Sequence, residues 1–457
     1  MIPPAPLDRG AGNLPHQITR HLRGLIDAGR LAPGDPVPST RALAADLGVS
    51  RGTVVAAYEQ LAGEGYLATT HGGTRVNPHL PATHVPRKAP AASIVRETRQ
   101  RADLRPGIPN TEALTGTAWR AAWRQAAAQP SRGYPVPGSP RLRELIAQHL
   151  RVTRSVSALP DNILITSGAR DGLRTLLGAV GQRCVVAVEN PGYPSLRAVL
   201  RDHGHRVVPV PVDGEGMEID ALARVRPQVV LITPSHQYPL GAAMSAPRRH
   251  RLLDYAAAHG AIVVEDDYDS ELRYVGQPHP ALAAVDTTGR VATLGSFSKT
   301  VTPGLGLGFV LMPPALRADM CARATPASGM VQDAMTHFME AEGLRHHLAR
   351  MRREYKRRRD LFAEVFAHER AEPMDGGLHA VVYLDDAHAE ANAVAGCARR
   401  GIAVQALSEY WSSSQRSGLV LGIGAYGYAR TRELLGEVRE VIRGAGRIDP
   451  RAKVEGR

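Results

Sequence analysis

The chain has 457 residues, more than one ordinary domain needs and enough for two or three. Its 43% apolar and 22% charged content excludes an extensively disordered protein, and no apolar run reaches the roughly 18–20 residues of a membrane span. The net charge of +12 favours a polyanionic partner, and the opening MIPPAPLDRG lacks the regions of a secretory signal, so a cytoplasmic protein with no membrane contact is expected. Three segments follow: 1–78, a Pro/Ala-rich linker over 79–100, and 101–457 with a smaller α+β subdomain from about 340.

In the first segment Ile18, Leu22, Leu25 and Ile26 recur on one helical face. After the turn LAPGDPVPST, Ser39 is placed to cap a helix over Thr40–Leu47, which Gly48 ends. Ser50 caps the next, with Val54, Tyr58 and Leu61 on its buried side, and Leu67 to Val76, turning at Gly72-Gly73, forms a β-wing. Two short helices about a tight turn, followed by a wing, spell a winged helix-turn-helix. The start of its second helix, Ser50, Arg51, Gly52 and Thr53, is what enters the major groove of duplex DNA. Arg51 suits a guanine edge. Arg41, Ser50, Thr53 and the wing residue Arg75 suit phosphates. The competing reading is a helical bundle for protein contacts. Met1–Pro78 carries seven Arg against six acidic residues, so positive charge facing DNA has to be local.

In the third segment, short apolar strands alternate with amphipathic helices: Ile163–Thr166, Cys184–Glu189, Arg206–Val212, Val229–Thr233, Ala261–Glu265, Val291–Gly295 and Leu307–Met312, with helices such as Ala169–Val180 and Pro194–His203 between them. That alternation predicts an α/β fold with a mostly parallel sheet. His379–Leu384, Gly401–Leu407 and Gly418–Ile423 belong to the smaller part. Cys184, Cys321 and Cys397 are too dispersed for a disulfide framework or a zinc site.

Pyridoxal 5'-phosphate needs a Schiff-base lysine, a carboxylate for its ring nitrogen, a phosphate seat and a ring to stack on. Candidates stand at strand ends. Ser167, Gly168 and Ala169 open a helix after ILIT and suit a phosphate; Tyr193 in ENPGYPS suits stacking. In EDDYDS, Asp266 suits the ring nitrogen and Tyr268 the phenolic oxygen, with a metal site as the weaker alternative. LGSFSKT supplies Ser296, Ser298 and Lys299, in a chain with only four lysines.

The stretch LAPGDPVPSTRALAADLGVSRGTVVAAYEQLAGEGYL resembles the winged helix-turn-helix of GntR-type regulators. TPSHQYPLG, EDDYDSELRY and GSFSKTVTPGLGLG resemble a fold-type I aminotransferase, and together the two parts resemble the MocR subfamily of GntR regulators. The resemblance implies a homodimeric regulator that binds a double-stranded operator and senses an amino compound or pyridoxal phosphate. At most it would retain a transaminase half-reaction. It also implies that Tyr134 reaches the neighbour's cofactor phosphate. Three positions depart from the enzymes. Gly306 stands where a phosphate-pairing arginine is usual, a loss of roughly 1.5–3 kcal/mol or about 10–150-fold in affinity unless another arginine such as Arg170 substitutes. Tyr238 replaces an asparagine. The stretch SGLVLGIGAYGY lacks the arginine that holds a substrate carboxylate, with Arg416 just before it. An active aminotransferase and a cofactor-free dimerisation scaffold are the two alternative readings. The run Arg345–Arg359, with seven Arg and one Lys against Glu354, reads as a solvated helix face or as a second DNA-contacting strip.

Overall fold

The computed structural model describes residues 7–10, 12–70, 73–80, 101–277, 279–412 and 416–445. The chain divides into two compact units, 1–96 and 97–457. Most of the expected linker, residues 81–100, and Gly72 of the wing turn lie outside the described residues.

In the first unit α1 (Leu14–Asp27), α2 (Thr40–Leu47) and α3 (Arg51–Gly63) precede strands β1 (Leu67–Thr70) and β2 (Gly73–Val76), which pair antiparallel as a wing. The caps follow the sequence chemistry. The Ser39 hydroxyl accepts from Ala42 N at 3.2 Å and the Ser50 hydroxyl from Thr53 N at 3.2 Å, while Gly48 takes the left-handed conformation (φ +61°) that ends α2. Ile18, Leu22, Leu25 and Ile26 of α1 close on Val54, Tyr58 and Leu61 of α3. The Tyr58 hydroxyl donates to Pro38 O at 2.8 Å and so fixes α3 against the loop before α2.

The second unit opens with the short strand β3 (Ala102–Asp103). Its main sheet contains β4 (Ile163–Thr166), β5 (Val185–Asn190), β6 (Arg206–Asp213), β7 (Gly216–Met217), β8 (Val229–Ile232), β9 (Ile262–Asp267), β10 (Val291–Ser296) and β11 (Gly308–Leu311). They lie in the order β4-β11-β10-β9-β8-β5-β6-β7. The central joins β10-β9, β9-β8, β8-β5 and β5-β6 are parallel; β11 runs antiparallel to both neighbours. β4, β8 and β11 are buried at every residue, as a sheet covered on both faces requires. The helices Ala169–Val180 and Pro194–Asp202 pack on one face, Ala246–His259 on the other. The chain runs outward from β5 to β6, then returns to β8 and proceeds the other way. This reversal opens a crevice at the carboxyl ends of β5, β8 and β9.

The smaller sheet contains β12 (Ala371–Pro373), β13 (His379–Leu384), β15 (Gln405–Ala406) and β16 (Ser417–Gly422), all antiparallel and backed by helices Ala387–Arg399 and Tyr428–Ala445. Residues 401–407, expected as one strand, are two. β14 (Ile402–Ala403) pairs parallel with β3, and β15 pairs with β16. The chain changes partner at Val404, a decision made by distant residues that the local pattern does not carry.

β10 and β11 approach closely because both are glycine-lined. A Cβ on Gly308 would lie 2.6 Å from Gly295 O and 2.9 Å from Gly168 Cα. Gly308→Ala is therefore expected to cost about 1–3 kcal/mol in urea unfolding; an unchanged midpoint would show that the pair has slack.

Candidate functional site

The crevice deepens into a cleft of about 410 Å³ where four of the expected residues meet: Tyr193, Asp266, Tyr268 and Lys299. Lys299 sits in the turn after β10, and its Nζ donates to Gly107 O at 2.9 Å. Gly107 has φ +80°, and a Cβ there would stand 2.5 Å from that Nζ, so only glycine lets the backbone come so near. Burial lowers the pKa of Lys299, against the opposing pull of Asp266 and Asp269, which makes the free amine easier to reach.

Asp266 ends β9 in the opposite sense. Burial, with Asp267 and Asp269 beside it, pushes its carboxyl up to about 8, while Lys299 pulls it down. It accepts no hydrogen bond among the described residues. A fully buried acid without a donor lacks a cationic or N–H partner. Tyr193 begins helix Pro194–Asp202 and stands edge-on to Tyr238 at 5.4 Å between ring centroids. Its pKa is raised by burial and by Asp266, and eased by Ser195 and Arg170.

The Tyr268 hydroxyl is engaged. It donates to His236 O at 3.0 Å and lies 3.0 Å from His236 Nδ1, which is itself 3.0 Å from Asp269 Oδ2. The rings of Tyr268 and His236 stack at 5.9 Å. Asp269, Tyr238, Leu378 and His379 complete the walls. In the sequence Asp269 lies within the EDDYDS motif, and Tyr238 stands out only as a substitution. Leu378 and His379 come from the smaller sheet, and no local pattern points from them to the cleft.

The expected phosphate seat is outside that lining. Ser167, Gly168 (φ +110°) and Ala169 stand where β4 enters helix Ala169–Val180, beside β11, and Ser298 N donates to Ser296 Oγ at 3.1 Å after β10. The Ser167 N–H is taken by Asp171 Oδ2 at 3.1 Å. Gly306 has open space where its Cβ would be, so crowding does not exclude an arginine, but its φ of +53° is a left-handed conformation that favours glycine. Arg170 is exposed. The Tyr134 hydroxyl donates to Asp333 Oδ1 in the same chain. Arg416 is exposed over the Tyr383 ring at 5.9 Å and does not line the cleft, in which Lys299 is the one basic side chain apart from His379, whose pKa burial lowers to about 3.

A pyridine ring with an aldehyde and a hydroxyl fits what the cleft presents: a buried amine, an unpaired buried acid and aromatic walls. No group of His, Cys, Asp and Glu among the described residues is placed to hold a metal. No helix among them is long and apolar enough to cross a membrane.

On the first unit, Arg41, Ser50, Arg51 and Gly52 are exposed at the ends of α2 and α3, with Thr53 half-buried. Part of that surface is spent internally: the Ser50 and Thr53 hydroxyls bond each other at 2.8 Å, and Arg51 Nε reaches Thr40 Oγ1 at 3.4 Å. Arg75 is exposed on the wing and donates to Gly34 O at 3.1 Å.

The basic run in helix Gly343–Val365 needs correction as a continuous strip. Arg358 is only 2% exposed and donates to Gly424 O at 2.7 Å, and Arg359 donates to Met374 O at 2.9 Å. Lys356 pairs with Asp360 and Arg357 with Glu354. Arg358 falls on the buried face with Met351, Tyr355 and Phe362, so it is an internal anchor.

Comparison with known proteins fixes the class. Residues 14–76 match the family described as bacterial regulatory proteins, gntR family, and residues 104–416 match aminotransferase class I and II. The chain is 40% identical over 442 residues to the HTH-type pyridoxine biosynthesis transcriptional regulator PdxR of Corynebacterium glutamicum, covering 94% of this chain and 96% of that one. It is 33% identical over 472 residues to the probable rhizopine catabolism regulatory protein MocR of Rhizobium meliloti, covering 95% of each. The second unit resembles LysN, the α-aminoadipate aminotransferase of Thermus thermophilus solved with N-(5'-phosphopyridoxyl)-L-leucine, at TM-score 0.68 and 25% identity over 78% of this chain and 95% of that one. Fold and relatives together define a helix-turn-helix transcriptional regulator with an aminotransferase-like second domain. The chain belongs to the MocR subfamily of GntR-type regulators.

The raised pKa of Asp266 has a consequence for stability. The folded ligand-free protein keeps that proton up to about pH 8, whereas an unperturbed aspartate releases it near 3.8. The folded form thus binds more protons between those values, and the contribution of Asp266 to stability is lost as pH rises through that window. Asp266→Asn should raise the thermal midpoint by a few degrees at pH 8 and leave it unchanged at pH 4. An equal shift at both would show that burial does not hold the proton.

Proposed function

We propose that the chain is a pyridoxal-phosphate-dependent DNA-binding regulator in which the cofactor itself is the sensed molecule. The observation that carries this is the facing pair in one cleft: the Lys299 amine, its pKa lowered by burial, and the Asp266 carboxyl without a hydrogen bond. The bound group would supply an aldehyde for covalent union with an amine and a ring nitrogen that gains from protonation. Lys299 offers its uncharged amine, Asp266 holds a proton at the ring nitrogen, and Tyr193 covers the ring. Tyr268, anchored by His236 and Asp269, sets the hydroxyl side. Ser167, Gly168, Ala169, Ser296 and Ser298 offer N–H and O–H donors for the phosphate, with Arg170 supplying charge where Gly306 has none. Tyr134 completes that seat in the neighbouring copy of a homodimer.

Among the described residues, no arginine lines the cleft to hold an amino acid's carboxylate. That favours a sensor of the aldehyde over a turnover enzyme, in keeping with a relative named for pyridoxine biosynthesis. The same gap speaks against an amino-acid effector. Arg51, with Ser50, Gly52 and Thr53, reads the major groove, and Arg41 and Arg75 hold phosphates. A ligand biases DNA binding only by its different affinity for the two arrangements of the dimer.

With pyridoxal phosphate, the full-length protein should gain visible absorbance, and borohydride should fix the label on Lys299. Lys299→Ala should show neither change and should lose the cofactor's effect on operator affinity. A label elsewhere overturns the site. Arg51→Ala should cost about 1–3 kcal/mol in operator binding and relax specificity at one base pair, and Arg75→Ala should lower the salt slope. Equal loss on every sequence for Arg51→Ala would demote it to a backbone contact.

A further inference from the structure

Asp266 also lines a second, smaller chamber, with about 20 Å³ for the centres of water-sized spheres. Glu189, near the end of β5, faces it and is 4% exposed. Thr233, just past β8, donates both its N–H, at 3.1 Å, and its hydroxyl to Glu189 Oε2. Glu189 Oε1 is buried and has no partner. No cation compensates. Arg197, from helix Pro194–Asp202, also lines the chamber, but its guanidinium is committed to Tyr410 O at 2.6 Å and Ser412 Oγ at 3.2 Å. The nearby Gln237 amide is committed to Pro191 O and Tyr238 O, both at 2.8 Å, Tyr193 lines the same chamber, and burial raises the Glu189 pKa to about 7 against the Thr233 hydrogen bonds. Asp266, on the same chamber, feels Asp267, Asp269, Glu189 and the opposing Lys299.

Hydrogen-bond accounting assigns the proton. Oε2 already receives two donors, so the acid form of Glu189 carries its proton on Oε1. That leaves one buried donor without an acceptor, on a chamber with room for a water that Asp266, which accepts no hydrogen bond among the described residues, also lines. We propose that Glu189 is a positioning residue for Asp266: when a ring nitrogen's positive charge draws the Asp266 carboxyl into its ionised form, the acid proton of Glu189, relayed through a water in this chamber, holds that carboxylate aimed into the cleft. The two carboxyls then titrate as a pair. The proposal rests on the reading that Asp266 faces the ring nitrogen of pyridoxal phosphate.

Two measurements on the full-length protein test it. In the ligand-free protein slightly below neutral pH, the infrared carbonyl stretches of two protonated carboxylic acids should be present. Glu189→Gln should remove one of them and shift the other, and Asp266→Asn should leave the Glu189 band alone in the spectrum at a shifted frequency. In binding of pyridoxal phosphate, Glu189→Gln, which keeps a donor toward the chamber, should stay within about twofold of the parent, while Glu189→Leu should weaken binding by on the order of tenfold or more. Absence of the Glu189 band, a band that ignores Asp266→Asn, or Glu189→Gln binding as weakly as Glu189→Leu overturns the proposal. If the parent takes up no pyridoxal phosphate, the reading of the cleft fails, and the infrared bands still decide the link between the two carboxyls.

Discussion

The large domain is organised around the cost of keeping an amine and an acid out of water at the ends of neighbouring parallel strands. β9 delivers Asp266 and the turn after β10 delivers Lys299, and burial pushes both toward their uncharged forms. The glycines that let β10 and β11 close on each other, and the glycine that brings the backbone at position 107 against Lys299, are geometric conditions for that burial. A fold that maintains such a pair is poised for a ligand that satisfies both ends at once.

The surroundings separate this site from that of an enzyme working on amino acids. Tyr238 fills space between Tyr193, Tyr268 and His379, with ring centroids 5.4, 5.5 and 4.7 Å away, and its hydroxyl lies 3.4 Å from that of Tyr410. The walls are aromatic and acidic, and Arg416, just before the stretch where the enzymes hold a carboxylate, rests on Tyr383. A pocket of this kind recognises a flat ring better than an anion.

Much of this was legible in the sequence where chemistry and period coincide. The caps Ser39 and Ser50, the buried stripe of α1 and the strand ends at Asp266 and Lys299 are local, and a chain poor in lysine makes position 299 conspicuous. What stayed hidden depends on long-range packing. Leu378 and His379 reach the cleft from another sheet, and Glu189 acquires meaning only once β8 places Thr233 beside it. The split of residues 401–407 follows from the choice of two different partners. Arg358 was counted by its charge, although its spacing from Tyr355 and Phe362 placed it on the inner face of its helix.

The segment that opens the second unit ties these features together. Arg101 N and Ala102 N donate to Gly401 O, β3 pairs with β14, Leu104 O receives Gly422 N, and a few residues on Gly107 O receives Lys299 Nζ. Asn110 N then donates to the Tyr355 hydroxyl at 3.0 Å. One short stretch of backbone is thus stapled to the smaller sheet, to the long helix and to the reactive amine, and its upstream end is where the chain continues toward the DNA-reading unit. What Lys299 holds therefore decides whether Gly107 O keeps its donor, and with it how firmly this opening stretch is fastened to the rest of the large domain.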